Sequence, residues 1–304
     1  MSTDQETAAC CAQFYEQDWV QTILGDSFHP GGTELTGRLI DSLKIDQSET
    51  VLDVACGIGT TSMMVGERCG AGVTGIDFSE VNVQRATESA EQKNAAVHFR
   101  TGDATNLPVD DAAVDNLICE CAVSTFADQT AAVKEFYRVL KPGGQVAISD
   151  MVLKGHLPQK LQTLLAPWTC LASAKSATGY QQLFLDNGFV VTSYEDESQA
   201  LLDMVLDFKK KLLVAGLGKT LATADGVPDV LASLDLGELK ILLDEARQLV
   251  NDGVVSYCRM TFAKGRPKAK DRSKTSTEAE PQLTTIGSTK ISSSAEDCGL
   301  GCDC

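Results

Sequence analysis

From Thr50 to Asp150 the chain alternates short apolar runs with longer amphipathic segments, and this rhythm constrains the fold more than any other feature. "TVLDVAC", "GVTGID", "VHFRTGD", "VDNLICE" and "QVAISDM" read as five strands, each closed by a polar or glycine-bearing stretch. Between them, "SEVNVQRATESAEQKN" and "QTAAVKEFYRVL" are long enough for helices, as is the segment running from the first glycine turn to about Cys69. A crossover between parallel strands has to pack on a sheet face. Strands interleaved with helices of about 10 to 15 residues therefore imply a doubly wound, parallel α/β sheet.

Around this core the chain divides by pattern into four parts. Residues 1–49 form a partly helical segment broken at "GDSFHPGG", and 50–150 are the strand–helix core. Residues 151–262 read as a helix bent at Pro167, the helix "GYQQLFLDNGF", the strand "VVTSYED", two amphipathic helices and a last strand, "VVSYCRMTFAKG". Residues 263–304 are rich in Ser, Thr and Lys, have little to bury and end in "CGLGCDC"; they are predicted to be a disordered tail. His29, ahead of Pro30-Gly31-Gly32, has two readings: part of a lid over a cofactor, with Gly31 and Gly32 as its flexible part, or an ordinary turn before a helix capped by Thr33.

Composition narrows the function. A net charge of −16 argues against a nucleic-acid partner and against an anionic membrane surface, both of which need a basic face. The start "MSTDQETAAC" lacks the basic and apolar stretches of a signal peptide, and no apolar run reaches spanning length, so the expectation is a cytoplasmic protein. Eleven cysteines in a chain of 304 residues are many for that location. The odd count and ample length disfavour a disulfide framework; free cysteines are ordinarily small buried hydrophobes. Cys119 and Cys121 stand apart from the others, because they flank Glu120 where the fourth strand ends. If that strand continues, alternation puts both thiols on one side and Glu120 opposite.

A glycine turn follows the first strand. "VLDVACGIGT" sets Asp53, Gly57 and Gly59 as D-x-x-x-G-x-G, where the backbone approaches a ligand closely and a helix N-terminus offers amide groups. Ser62 rules out the dinucleotide spacing G-x-G-x-x-G. Asp77 ends the second strand, where a carboxylate can accept ribose hydroxyls. "GDATNLP" follows the third strand, with Asp103 placed for an adenine amino group, and "RVLKPGG" precedes the fifth. Taken together these motifs resemble the class I S-adenosylmethionine-dependent methyltransferases of the small-molecule type over roughly residues 50–150. The resemblance implies a Rossmann-like seven-stranded sheet with an antiparallel last strand near Val254 to Phe262, added helices, and S-adenosylmethionine as cofactor. It places Asp53, Ala55, Gly57, Gly59, Asp77, Phe78, Asp103, Ala104 and Glu120 around that cofactor.

In such a fold the acceptor lies above the carboxyl ends of the fourth and fifth strands. Thiols there suit a soft acceptor such as trivalent arsenic. The chain is similar to the arsenite methyltransferases in having a cysteine at the fourth strand's end and Cys170 in "PWTCLASA". That resemblance implies Cys170, Cys121 and Cys119, with Cys258 as a weaker fourth, as metalloid ligands and catalytic groups, and a thiol reductant between turnovers. Methylation of an organic carbon, nitrogen or oxygen acceptor, such as a quinone or phenol, stays open, as does a thiol-rich metalloid-binding module without turnover. Glu120 then either orients the acceptor or only caps the strand end. Of the three histidines, His98 reads as structural and His156 as lying in a solvated loop.

Overall fold

The computed structural model describes residue 16 and residues 29–159, 161, 171, 173–214 and 236–265. Cys170, the bend expected at Pro167, Cys10, Cys11 and the tail from 266 onward lie outside these residues. Seven strands form one sheet: β1 (Thr50–Val54), β2 (Gly72–Asp77), β3 (Val97–Thr101), β4 (Val114–Glu120), β5 (Leu140–Leu153), β6 (Phe189–Asp196) and β7 (Val255–Lys264). Their order is β3-β2-β1-β4-β5-β7-β6, with β7 antiparallel to both neighbours and β1 to β5 parallel. The seven-stranded Rossmann-like sheet that the motifs implied is the sheet that forms.

Among the described residues the helices include α1 (Gly32–Leu43), α2 (Thr60–Cys69), α3 (Glu80–Lys93), α4 (Gln129–Val139), α5 (Ala177–Asp186), α6 (Ser198–Val214) and α7 (Leu236–Asn251). Strand alternation sorts the core onto two faces. Leu117 and Cys119 of β4 join Val146 and Ile148 of β5 beneath Val133 and Phe136 of α4 and Tyr180 and Phe184 of α5. Ile118 and Ala147 point the other way, against Leu39, Ile40 and Leu43 of α1 and Val65 of α2. Each large apolar side chain so buried contributes about 1.5–3 kcal/mol, which is why both faces are covered.

Two local departures from the sequence reading have physical causes. β5 starts at Leu140, ahead of the "KPGG" turn, because Val114 pairs with Leu140 while Asn116 pairs with Gln145 and the residues between loop out. Gly144 tolerates no side chain there, since a Cβ would sit 2.7 Å from the Asp115 carbonyl oxygen. The cap of α1 is Gly31 in the left-handed region (φ 79°), not Thr33, and no side chain caps that helix.

Topology also creates the crevice. The chain lays β2 and β3 outward from β1, then returns to place β4 on the opposite side of β1. Ligands of open α/β sheets bind at such a reversal, beyond the carboxyl ends of the strands. β1 gives way there to Ala55, and β4 ends there at Glu120, followed by Cys121.

Candidate functional site

The turn after β1 is built from unusual backbone. Ala55 (φ 61°), Gly57 (φ 53°) and Gly59 (φ 81°) all lie in the left-handed region, and a Cβ on Gly59 would meet the Phe99 ring at 2.5 Å. Gly59 caps α2 without a side chain; the first-turn amides of a helix so capped are the groups that bind polar ligand atoms. Below the turn, Asp53 is buried and accepts the Ser62 hydroxyl at 2.6 Å, tying the strand to the first turn of α2. Burial pushes the Asp53 carboxyl up to about 7, partly offset by that hydrogen bond.

Asp77 ends β2 with each oxygen accepting one backbone amide: Gly57 at 2.8 Å and Ser79 at 2.9 Å. Burial raises its pKa, while the amides hold it back. The Asn82 side chain also donates to it; a carboxylate has about four acceptor positions, so capacity for a ligand hydroxyl is left. Next to it Phe78 is 49% exposed, an apolar ring left in solvent beside a buried acid. Asp103 follows β3, and one of its oxygens accepts both the amide and the hydroxyl of Thr105 at 2.8 Å. Ala104 is buried beside it. The N-terminal segment reaches this corner too: Glu16 accepts the Ser79 hydroxyl at 2.6 Å, and its carbonyl accepts Arg85 at 2.8 Å. Acids at the ends of β2 and β3, a bare glycine turn and an exposed ring make a donor set that fits a nucleoside.

Glu120 is the centre of a second cluster. Thr61, in the first turn of α2, donates to Glu120 Oε2 at 2.6 Å. Thr36 of α1 donates to the same carboxylate, 3.1 Å from Oε2. His29 Nε2 lies 3.5 Å from Glu120 Oε1 and 3.2 Å from the Thr36 hydroxyl, while Nδ1 faces the Pro30 carbonyl at 3.0 Å. A proton on Nδ1 would satisfy that carbonyl, and Nε2 is turned to the acid. His29 thus closes over Glu120 from the segment that the sequence offered as a lid or a plain turn. Neither Thr36 nor Thr61 was foreseen. Thr61 stands two residues after Gly59, which is a signal; Thr36 left none.

Among the described residues, Cys119, Cys121 and Cys258 are not gathered in one cluster. β4 ends at Glu120, and Cys121 turns into the left-handed region (φ 52°), its amide bonded to the Ser149 carbonyl at 2.7 Å. The alternation that would have put Cys119 and Cys121 on one side is broken at that residue. Cys119 is fully buried in the cluster under α4 and α5. Cys121 is half-buried against Leu35, Met151 and Tyr257 on the other face. Cys258 is fully buried on β7, opposite Asp150, and burial pushes its thiol well above the ordinary range. Among the described residues no three His, Cys, Asp or Glu side chains come together as a metal site. His98 is exposed on the edge strand β3 and His156 is exposed after β5.

Behind the end of β4 the chain is pinned by Asp150. Its Oδ1 accepts the Ser124 hydroxyl at 2.6 Å and the Met151 amide at 2.7 Å, and its Oδ2 accepts the Ser124 amide at 2.9 Å. Ser124 belongs to the single 3₁₀ turn Val123–Thr125 that follows Cys121. Gln129 carries the link onward, donating to the Ser173 carbonyl at 3.0 Å.

Residues 45–208 match the family model described as a methyltransferase domain. The chain belongs to the methyltransferase-domain family. Its relatives in that family differ in acceptor. It is 33% identical over 156 residues to an arsenite methyltransferase of Halobacterium salinarum, covering 49% of this chain and 40% of that protein. It is 29% identical over 160 residues to the methyltransferase GfsG of Streptomyces halstedii (52% and 58% covered), and 34% identical over 131 residues to a phosphoethanolamine N-methyltransferase of Triticum aestivum (43% and 26%). The chain thus spans less than two thirds of the length of each of these relatives. Among solved structures, phosphoethanolamine N-methyltransferase 2 of Haemonchus contortus, in complex with S-adenosylhomocysteine, superposes with a TM-score of 0.68 at 18% identity (82% and 56% covered). The [4+2]-cyclase SpnF superposes at 0.66 and 21% (84% and 94%). A methyltransferase and a cyclase on one scaffold show that this fold fixes the frame and not the reaction. Among the described residues no helix is long and apolar enough to cross a membrane.

Proposed function

We propose that this methyltransferase moves a methyl group from S-adenosylmethionine to a small organic acceptor bound at the carboxyl end of β4. The cofactor is S-adenosylmethionine; when bound, it supplies an electrophilic methyl carbon. Asp77 would hold its ribose hydroxyls, Phe78 would lie against its base, Asp103 would accept from the base's amino group, and the Ala55–Gly59 turn would lie along its polar chain. The observation that carries the acceptor reading is Glu120. Its carboxylate stands at the sheet reversal, is fixed by Thr61 from the cofactor side and Thr36 from α1, and faces His29.

A carboxylate held this way orients an acceptor hydroxyl or amine and takes its proton as the acceptor attacks; such groups contribute about 10²–10⁴-fold. His29, with Nε2 turned to Glu120, is placed to share that proton. The enclosing side chains keep the reacting atoms in line, which is most of what methyl transfer needs from a protein.

Arsenite methylation is the second reading. Cys121, half-buried at the end of β4, and the arsenite methyltransferase among the relatives favour it. It would use Cys121 with Cys170 and a thiol reductant. Cys258 is a poor ligand, because burial pushes its thiol up and keeps it protonated, and Cys119 is buried in the apolar cluster under α4 and α5, on the opposite face from Cys121. Purified protein with labelled S-adenosylmethionine and a panel of phenols, alkylamines, arsenite, monomethylarsenite and antimonite separates the two. Label on an organic acceptor that vanishes in Glu120→Gln supports the first reading. Arsenite-dependent transfer that vanishes in Cys121→Ser or Cys170→Ser and survives Glu120→Gln overturns it.

A further inference from the structure

One cleft touches the Glu120 cluster. It encloses about 710 Å³ between the first turn of α1 and the length of α6, and His29, the residue that faces Glu120, forms part of its wall. That volume is in the range of small-molecule sites. Resting on the function proposed for Glu120, we propose that this cleft receives the acceptor, and that the acceptor has an apolar body with an ammonium group or another positive centre, not a phosphate.

The wall chemistry carries the assignment. Ala200, Met204 and Phe208 follow one another at i, i+4 along α6, so they form one half-buried apolar stripe lining the cleft. Opposite, the α1 side is bare backbone at Gly31 and Gly32, and a Cβ on Gly32 would meet nothing within 4 Å. Ala200 packs close to Gly31, where a Cβ would meet the Ala200 Cβ at 3.2 Å; beyond it Met204 and Phe208 leave an apolar wall that suits a hydrocarbon or aromatic body.

Charge decides the rest. The cleft's cations are already engaged: Arg38 donates to Glu34 and Glu197, both at 2.8 Å, and Lys211 lies 3.0 Å from Asp207. Glu197 also holds Arg259 at 3.2 Å, so this part of the wall is neutral overall and offers no donor fork to a phosphate. Asp203, in the polar stripe beside Met204, accepts only the neutral amide of Gln199 at 2.9 Å among its described contacts. Its charge is left for a ligand. An anion entering here would meet carboxylates on Glu34, Asp203 and Asp207; a cation would be attracted by them.

The test uses full-length protein saturated with S-adenosylhomocysteine and three probes of equal chain length: hexylammonium, hexanol and hexyl phosphate. Calorimetry is expected to give hexylammonium an affinity at least about fivefold above hexyl phosphate, with hexanol between. Phe208→Ser should weaken all three, and Asp203→Asn should remove the ammonium advantage while leaving hexanol unchanged. Hexyl phosphate binding as tightly as hexylammonium, or hexylammonium binding indifferent to Phe208→Ser, overturns the assignment. Affinity for S-adenosylhomocysteine reports whether each variant is folded; should Phe208→Ser lose it, Met204→Lys probes the same stripe. The probes are read without turnover, so the cleft can fail while Glu120-dependent methyl transfer stands, and the reverse.

Discussion

Thr61 and Glu120, 59 residues apart in the chain, are joined by a 2.6 Å hydrogen bond that ties the first turn of α2 to the end of β4. Because Gly59 caps that same helix, the glycine turn after β1 is tied directly to the carboxylate at the end of β4. In the proposed function the relative placement of cofactor and acceptor rests on that hydroxyl, with Thr36 as a second hold on Glu120 from α1.

Glu120→Gln keeps the shape and removes the negative charge. It is expected to lower kcat/KM for a hydroxyl or amine acceptor by about 10²-fold or more. Affinity for S-adenosylhomocysteine, measured by calorimetry, should stay within about threefold. A parallel loss of both would move Glu120 from the acceptor to the cofactor.

Asp77→Ala should weaken S-adenosylmethionine by about 1.5–3 kcal/mol, the usual loss when hydrogen bonds to a charged group are removed. Unchanged affinity would take Asp77 out of the cofactor site.

Gly59→Ala is expected to destabilise the fold by about 1–3 kcal/mol, seen as a lower Tm. Its φ of 81° strains any residue with a Cβ, and the added atom would press on Phe99 at 2.5 Å. A Tm equal to that of the parent protein would show that the turn relaxes.

Asp150 predicts a pH dependence. Burial pushes its carboxyl up to about 7 in the fold, against about 4 in an unfolded chain. The native state then binds the extra proton between those values, so this group's stabilisation is complete below about pH 4 and is lost as pH rises through about 7, a loss of up to ~4 kcal/mol. Denaturant unfolding of the parent protein and of Asp150→Asn across that window should show a shallower decline in the variant. Identical slopes would mean that Asp150 does not titrate there.

Cys119→Ser and Cys121→Ser should part company. A hydroxyl at 119 is buried among apolar side chains under α4 and is expected to cost about 1–3 kcal/mol of stability. At 121 the side chain is half-buried beside the site, and thermal stability should barely change. Equal melting shifts for the two variants would contradict their placement on opposite faces.

The strand–helix alternation from Thr50 to Asp150 determined the sheet, because crossover helices have only the two sheet faces on which to bury their apolar sides. The placement of Asp53, Gly57, Gly59, Asp77 and Asp103 at one edge of the sheet was legible for a related reason: each stands within a few residues of a strand's carboxyl end. The acceptor side was not legible. Whether Cys119 and Cys121 shared a face hung on one backbone angle, the left-handed turn at Cys121, which alternation cannot foresee. The partners of Glu120 come from residues 29, 36 and 61, brought together only when α1 and α2 pack on the same face of the sheet. The Asp150–Ser124 clamp likewise joins β5 to the 3₁₀ turn after β4, which no periodicity connects. Local pattern fixes what each segment becomes; which side chains then meet across segments is decided by packing, where long-range contacts with no sequence signature set the chemistry.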